Sequence, residues 1–142
     1  MSILLSAFVA MLLIDPEPSE KKDLDAIQGT WSVASMENEG RKQPRNPLFP
    51  VKLIFEKDEV LAQAGRRQPE TQGTVKLDPK QTPKHYDFKT LGGVVVPGIY
   101  ELDGDAFKVC LGSPGDRPST FATQPGDRRT LIVYKREKPP QK

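Results

Sequence analysis

The side chains able to carry chemistry are few and scattered. The 142 residues include one histidine (His85), one cysteine (Cys110) and one tryptophan (Trp31). A lone cysteine excludes an intramolecular disulfide and a cysteine-based zinc site, and a lone histidine excludes a multi-histidine metal site. His85 has a side chain suited to general base work. Its sequence neighbours supply neither a nucleophile nor an orienting partner, so it reads as a histidine where a loop enters a strand. Cys110 alternates with Phe107 and Val109, which turns it away from them as a small outward strand residue beside Lys108. Asp103 and Asp105 look like paired carboxylates, but they flank Gly104, and turn chemistry at an exposed hairpin tip explains them better. Pro114-Gly115-Asp116-Arg117 recurs as Pro125-Gly126-Asp127-Arg128. One reading makes Arg117 and Arg128 an anion site; the favoured one is two similar turns around Phe121, because Pro-Gly-Asp is a turn signal. No phosphate-cradling glycine loop and no glycosylation sequon is present, and Gly112-Ser113 lacks the flanks of a nucleophile elbow. The expectation is a non-enzyme with no cofactor and no metal site.

Composition bounds what can position these residues. Hydrophobic residues are 36% and charged residues 28%, enough apolar material for one modest core and one domain. The formal net charge is +2, and the excess sits at the C-terminus, where Lys135, Arg136, Lys138 and Lys142 oppose Glu137. A neutral body with a short basic tail lacks the basic face that nucleic acid requires, so no nucleic-acid partner is expected. Residues 1–14 are almost wholly apolar, too short for a spanning helix, which needs about 20 residues, and of the length of a signal-peptide apolar region. No Lys or Arg precedes the stretch and no Ala-x-Ala site follows it. Residues 15–22, with Pro16 and Pro18, read as an extended linker. The expectation is export to the periplasm or outside, with a cytoplasmic location as the alternative, and no membrane span in the mature chain. No cysteine lies near the stretch to carry a lipid.

The body, 23–137, reads as short strands separated by turn signals, after a helical turn at Asp23–Gln28 with Asp23 as its cap. The runs are 29–36, 51–56, 59–64, 73–77, 86–91, 94–102, 106–111 and 129–135. With no long helix between them, they predict an antiparallel meander. A Lys57-Asp58 turn pairs Phe55 with Val60 and Leu53 with Ala62, leaving Glu56 and Glu59 outside. An Asp103-Gly104 loop pairs Leu102 with Asp105 and Tyr100 with Phe107. Tyr100, Phe107 and Val109 then share an inner face, with Glu101 and Lys108 outside. Ala62 and Ala64 opposite Leu53 and Val51 mix small with large, as a tapering barrel does, whether filled or enclosing a pocket. Residues 41–50 form the longest proline-rich connection, in which Leu48 and Phe49 either plug a barrel end or anchor a passive loop.

Gly29-Thr30-Trp31 opens the first strand after that helical turn and resembles the Gly-x-Trp signature of lipocalins. A longer series extends the likeness: Leu24 to Trp31, Gly73 to Pro79, Gly98 to Asp105, Pro114 to Pro118 and Leu131 to Glu137. The chain resembles the planctomycete-type lipocalin-like domain of unknown function over nearly all of 23–137. The resemblance implies an all-β, antiparallel eight-stranded up-and-down barrel. It also implies an exported protein without agreed catalytic residues, and a basic residue, Arg136 or Arg129, packed over Trp31. Gly29, Trp31 and Arg136 form the structural signature.

Two functions follow. The first is a non-catalytic barrel binding a small apolar ligand, lined by Leu53, Phe55, Val60, Ala62, Tyr86, Phe88, Tyr100, Phe107 and Val109. The second is a structural or protein-interaction module of the cell envelope, with an envelope protein as partner.

Overall fold

A computed structural model describes residues 18–44 and 51–137. The apolar stretch at 1–14, Leu48 and Phe49, and the tail at 138–142 lie outside the described residues.

Helix α1 spans Pro18–Ala26. Residues 18–22 are therefore helical and not linker, and Asp23 lies inside the helix, not at its cap. Proline suits the first helical turn, where its missing N–H has no partner to lose, and Glu20 complements the positive end of the helix dipole. The same Pro18 that suggests a linker is thus compatible with a helix start. Asp23 instead uses its carboxylate to accept a hydrogen bond from Tyr100 at 2.6 Å and to pair with Lys84 at 3.0 Å, which clamps α1 to the barrel.

Nine strands follow: β1 Gly29–Asn38, β2 Arg41–Lys42, β3 Val51–Glu56, β4 Glu59–Ala64, β5 Glu70–Asp78, β6 Lys84–Thr90, β7 Val95–Asp103, β8 Ala106–Leu111 and β9 Thr130–Arg136. Each pairs antiparallel with its neighbour, and β1 also pairs with β9, so eight strands close a barrel and β2 is a two-residue extension on β1. Closure removes the sheet edges that an open meander would present.

Alternation explains the inner face. The Lys57-Asp58 hairpin has the expected register, with Phe55 opposite Val60 and Leu53 opposite Ala62. The β7–β8 hairpin differs by one step on each strand: Leu102 faces Phe107, Tyr100 faces Val109, and Asp103 faces Ala106. Its loop is therefore Gly104-Asp105, and only Gly104 has a positive φ, 56°. Glycine first with a single positive φ is the type II′ pattern, whereas a type I′ loop on Asp103-Gly104 needs positive φ at both residues. The double step preserves parity, so Tyr100, Phe107 and Val109 still share the inner face.

Call the end carrying α1 and the 57–58 and 104–105 turns the helix end. There Ile27, Trp31, Phe55, Tyr100 and Phe107 are at most 1% exposed. Phe107 is the hub: the rings of Trp31, Phe55, Tyr86, Tyr100 and Tyr134 all lie 5.5–6.1 Å from its own, the range in which tilted and edge-on aromatic pairs attract. Trp31 donates its indole N–H to the Ile27 carbonyl at 2.8 Å, and the Arg136 guanidinium lies 4.3 Å from its ring centre. Arg136 also donates to the carbonyls of Ala26 and Gln28 and pairs with Asp105 at 3.2 Å. Of the two basic residues considered for this role, Arg136 fills it; Arg129 is at the other end of β9, 4.0 Å from Asp116.

Outside the wall, residues 112–129 form a flap. Cys110 does face outward, as alternation requires, yet it is 0% exposed, and its strand partner Ile99 is 1% exposed. The flap covers both: Pro118 is fully buried, and the Cys110 sulfur lies 3.9 Å from the Ala122 carbonyl. Arg117 pins the flap to the wall by donating to the Gly98 carbonyl at 2.8 Å and pairing with Asp87 at 2.7 Å. Thr123 accepts from the Gly40 N–H and donates to Glu37. The outward position of Cys110 is thus a second, smaller buried layer.

Candidate binding site

Burial of the inner face is graded along the barrel axis. The helix end is packed around Phe107. Toward the far end, inward-facing Val33, Met36, Leu53, Phe88 and Leu111 pack against the core but remain only partly buried. Ala62, opposite Leu53, is partly buried as well and gives that wall a short side chain. An apolar, partly accessible lining in a closed barrel is the form small-molecule sites take.

All nine residues expected to line the interior lie on the inner face, but they divide. Phe55, Val60, Tyr86, Tyr100, Phe107 and Val109 are core, spent on packing one another. Leu53, Ala62 and Phe88 lie in the accessible part. Val33, Met36 and Leu111 also belong to this wall and were not among the expected residues. A β-bulge between Val33 and Ser35 shifts the alternation of β1 and brings Met36 inward opposite Ile132, which simple period-two counting from Trp31 does not find.

The interior carries two phenols, Tyr86 and Tyr134, 4% and 6% exposed. Neither hydroxyl makes a hydrogen bond among the described residues, in contrast to Tyr100, which donates to Asp23. Burial pushes the Tyr86 phenol well above its ordinary range, with the nearby Tyr134 adding to it, and burial does the same to Tyr134. Both remain neutral donors through the physiological range. For Tyr100, burial and then the hydrogen bond to Asp23 act in the same direction.

The other candidates separate. His85 lies on β6 opposite Asp78 and Ile99 and faces away from the interior. Asp103 is exposed, and Asp105 is turned to Arg136. Arg117 and Arg128 do not converge: Arg117 is engaged with Gly98 and Asp87, while the Arg128 backbone N–H donates to Glu39. Pro114-Gly115 and Pro125-Gly126 form two turns, with the glycines at φ 80° and 79°, as type II geometry requires. Among the described residues no group of three or more His, Cys, Asp or Glu is placed to hold a metal, and no helix is long and apolar enough to cross a membrane. A groove of about 510 Å³ lies between α1 and the outer side of β5–β7, with Glu20, Leu24, Lys76, Asp87, Lys89 and Val95 among its lining.

Comparison of the chain with protein-family models, with curated proteins and with solved structures finds no match.

Proposed function

We propose that the chain is an exported lipocalin-like domain that binds a small, mainly apolar ligand through the far end of its barrel and performs no catalysis on it. The graded inner face carries this reading: an aromatic plug at the helix end, and a partly accessible apolar wall of Val33, Met36, Leu53, Phe88 and Leu111 beyond it. The unpaired phenols of Tyr86 and Tyr134 suit a ligand with one or two acceptor atoms on an apolar body. The non-catalytic part draws on what the polar side chains do, since Asp23, Asp105, Arg117 and Arg136 all hold the fold together.

The test is an apolar fluorescent probe titrated into wild type and Ala62→Phe, together with native mass spectrometry of protein from its own host. Ala62→Phe fills the short position opposite Leu53 and is expected to weaken the probe about tenfold, a difference of about 1.4 kcal/mol. Equal binding by both proteins, with no co-purifying molecule, refutes the reading. Export is tested by fractionation; an intact N-terminus found only in the cytoplasm refutes that part.

A second reading, an interaction module of the cell envelope, draws on the 510 Å³ groove beside α1, where Lys76 and Lys89 stand near Glu20 and Asp87. Charge reversal at Lys76 and Lys89 would then abolish a protein contact and leave probe binding intact.

A further inference from the structure

The large hydrophobic side chains that stand exposed among the described residues are all at the far end of the barrel. Leu91 is 74% exposed, Val94 48% and Val95 46%, on or beside the β6–β7 hairpin tip, and Val51, 47% exposed, begins β3. The tip, Leu91-Gly92-Gly93-Val94-Val95, contains no charge, hydroxyl or amide side chain. Connections are usually polar because they face water. Scattered single apolar residues need no explanation, but a cluster confined to one end of a molecule does.

The charges beside the tip have one dominant sign. Lys89 lies two residues before it, and Arg66 and Arg67 occupy the β4–β5 connection, the next connection round this end of the barrel. All three are exposed, and none makes an ion pair among the described residues. Glu70 is the one acid among residues 65–70 and 89–95. At the helix end the balance reverses: Glu56, Asp58 and Glu59 outnumber Lys57 around one turn, and Asp103 and Asp105 flank another, where Asp105 pairs with Arg136. These turns and connections therefore differ in sign, and the apolar tip stands among the positive ones, the side a negative surface attracts.

We infer that the far end of the barrel docks on an anionic lipid surface, with the Leu91–Val95 tip at the headgroup–acyl boundary and Lys89, Arg66 and Arg67 against headgroup phosphates. Shallow apolar insertion flanked by cations is the combination that holds peripheral proteins to anionic bilayers, and each basic residue near the surface adds to the attraction. A protein partner would need an apolar recess ringed by acids to match the same tip. The inference requires no ligand inside the barrel and stands apart from the binding proposal.

The experiment places a reporter on the tip of the full chain. Leu91→Trp is mixed with vesicles of phosphatidylglycerol and, separately, of phosphatidylcholine. Trp31 is fully buried and supplies a constant background. The expected result is a blue shift and quenching by brominated lipid on phosphatidylglycerol only, reversed by high salt. Asp103→Trp, at the opposite end, should show neither. Leu91→Asp combined with Val94→Asp should lower the tip-dependent binding about tenfold while leaving the unfolding midpoint in place. The position-specific signal separates the tip from any attraction due to residues 3–14, which all variants share. An unchanged Leu91→Trp emission on anionic vesicles overturns the inference, whether or not an acidic protein binds instead. So does an equal shift at Asp103→Trp.

Discussion

Removing the indole of Trp31 should cost this barrel most of its stability. The side chain is 0% exposed, stacks under Arg136, touches Phe107 and donates to the Ile27 carbonyl. A tryptophan buries roughly 150–250 Å², which at about 25 cal/mol per Å² gives an upper bound near 4–6 kcal/mol. Measured truncations of buried Phe or Trp to Ala cluster at about 3–5 kcal/mol. The lost ring also leaves the Arg136 guanidinium without its stacking partner beside the end of α1, so the upper part of that range is expected. Domains of this kind have only about 5–15 kcal/mol in total. Trp31→Phe retains a ring against Phe107 and loses the N–H bond and part of the stack, for about 1–2 kcal/mol. Both variants remove the only tryptophan, so urea unfolding is followed by far-ultraviolet circular dichroism. The reasoning is refuted if Trp31→Ala keeps the wild-type midpoint and slope, or if the phenylalanine variant is as damaged as the alanine one.

Cys110→Ser should cost about 1–2 kcal/mol, because a hydroxyl replaces a buried thiol whose acceptor, the Ala122 carbonyl at 3.9 Å, is too far for an O–H bond; a midpoint equal to wild type by urea titration would show the layer under the flap to be loose. Arg117→Ala should release the flap and let iodoacetamide reach Cys110 at least severalfold faster in the native protein, read by intact mass against time; an unchanged rate would mean that Arg117 does not hold it. Gly104→Asn should cost about 1 kcal/mol or more, since the type II′ loop wants glycine first whereas a type I′ loop accepts asparagine; a neutral effect in thermal melts would favour the alternative loop. Burial raises the Cys110 thiol and the Tyr86, Tyr100 and Tyr134 phenols above their ordinary values of 9.0 and 10.0. The unfolded chain therefore loses these protons first, and stability present below pH 9 should decline as pH rises through 9 to 10 and beyond. A urea midpoint flat across that interval would contradict the burial of these groups.

Much of this architecture is legible in the residues because strand alternation is a short, local signal. Charged and apolar side chains sort cleanly in 51–64 and 98–111, and a double step in the β7–β8 register did not disturb which face Tyr100 and Phe107 occupy. The start of α1 is less legible, since Pro18 is equally at home in a linker and in a first helical turn. The flap is hidden because 112–129 has no periodicity; its one trace is that Ile99 and Cys110, both outward-facing and directly paired, need something to cover them. The accessible part of the interior is read only in part. Leu53, Ala62 and Phe88 follow from alternation, but Met36 depends on a bulge that its sequence does not announce.

The seam between β1 and β9 also sets an order of events in time. Ser32 and Lys135 are hydrogen-bonded across it although 103 residues apart in the chain. Contacts of that separation are slow to form, because a long loop must close before any energy is returned. During synthesis, β1 has β3 as a partner early but no second neighbour along its full length, and Trp31 has no Arg136 over it until the last strand has left the ribosome. For that interval the nascent chain presents an unpaired strand edge and an uncovered indole, the kind of surface that makes incomplete chains prone to association. A chain stopped before residue 130 should therefore associate, and addition of the final seven-residue strand should be the step that closes it as a barrel.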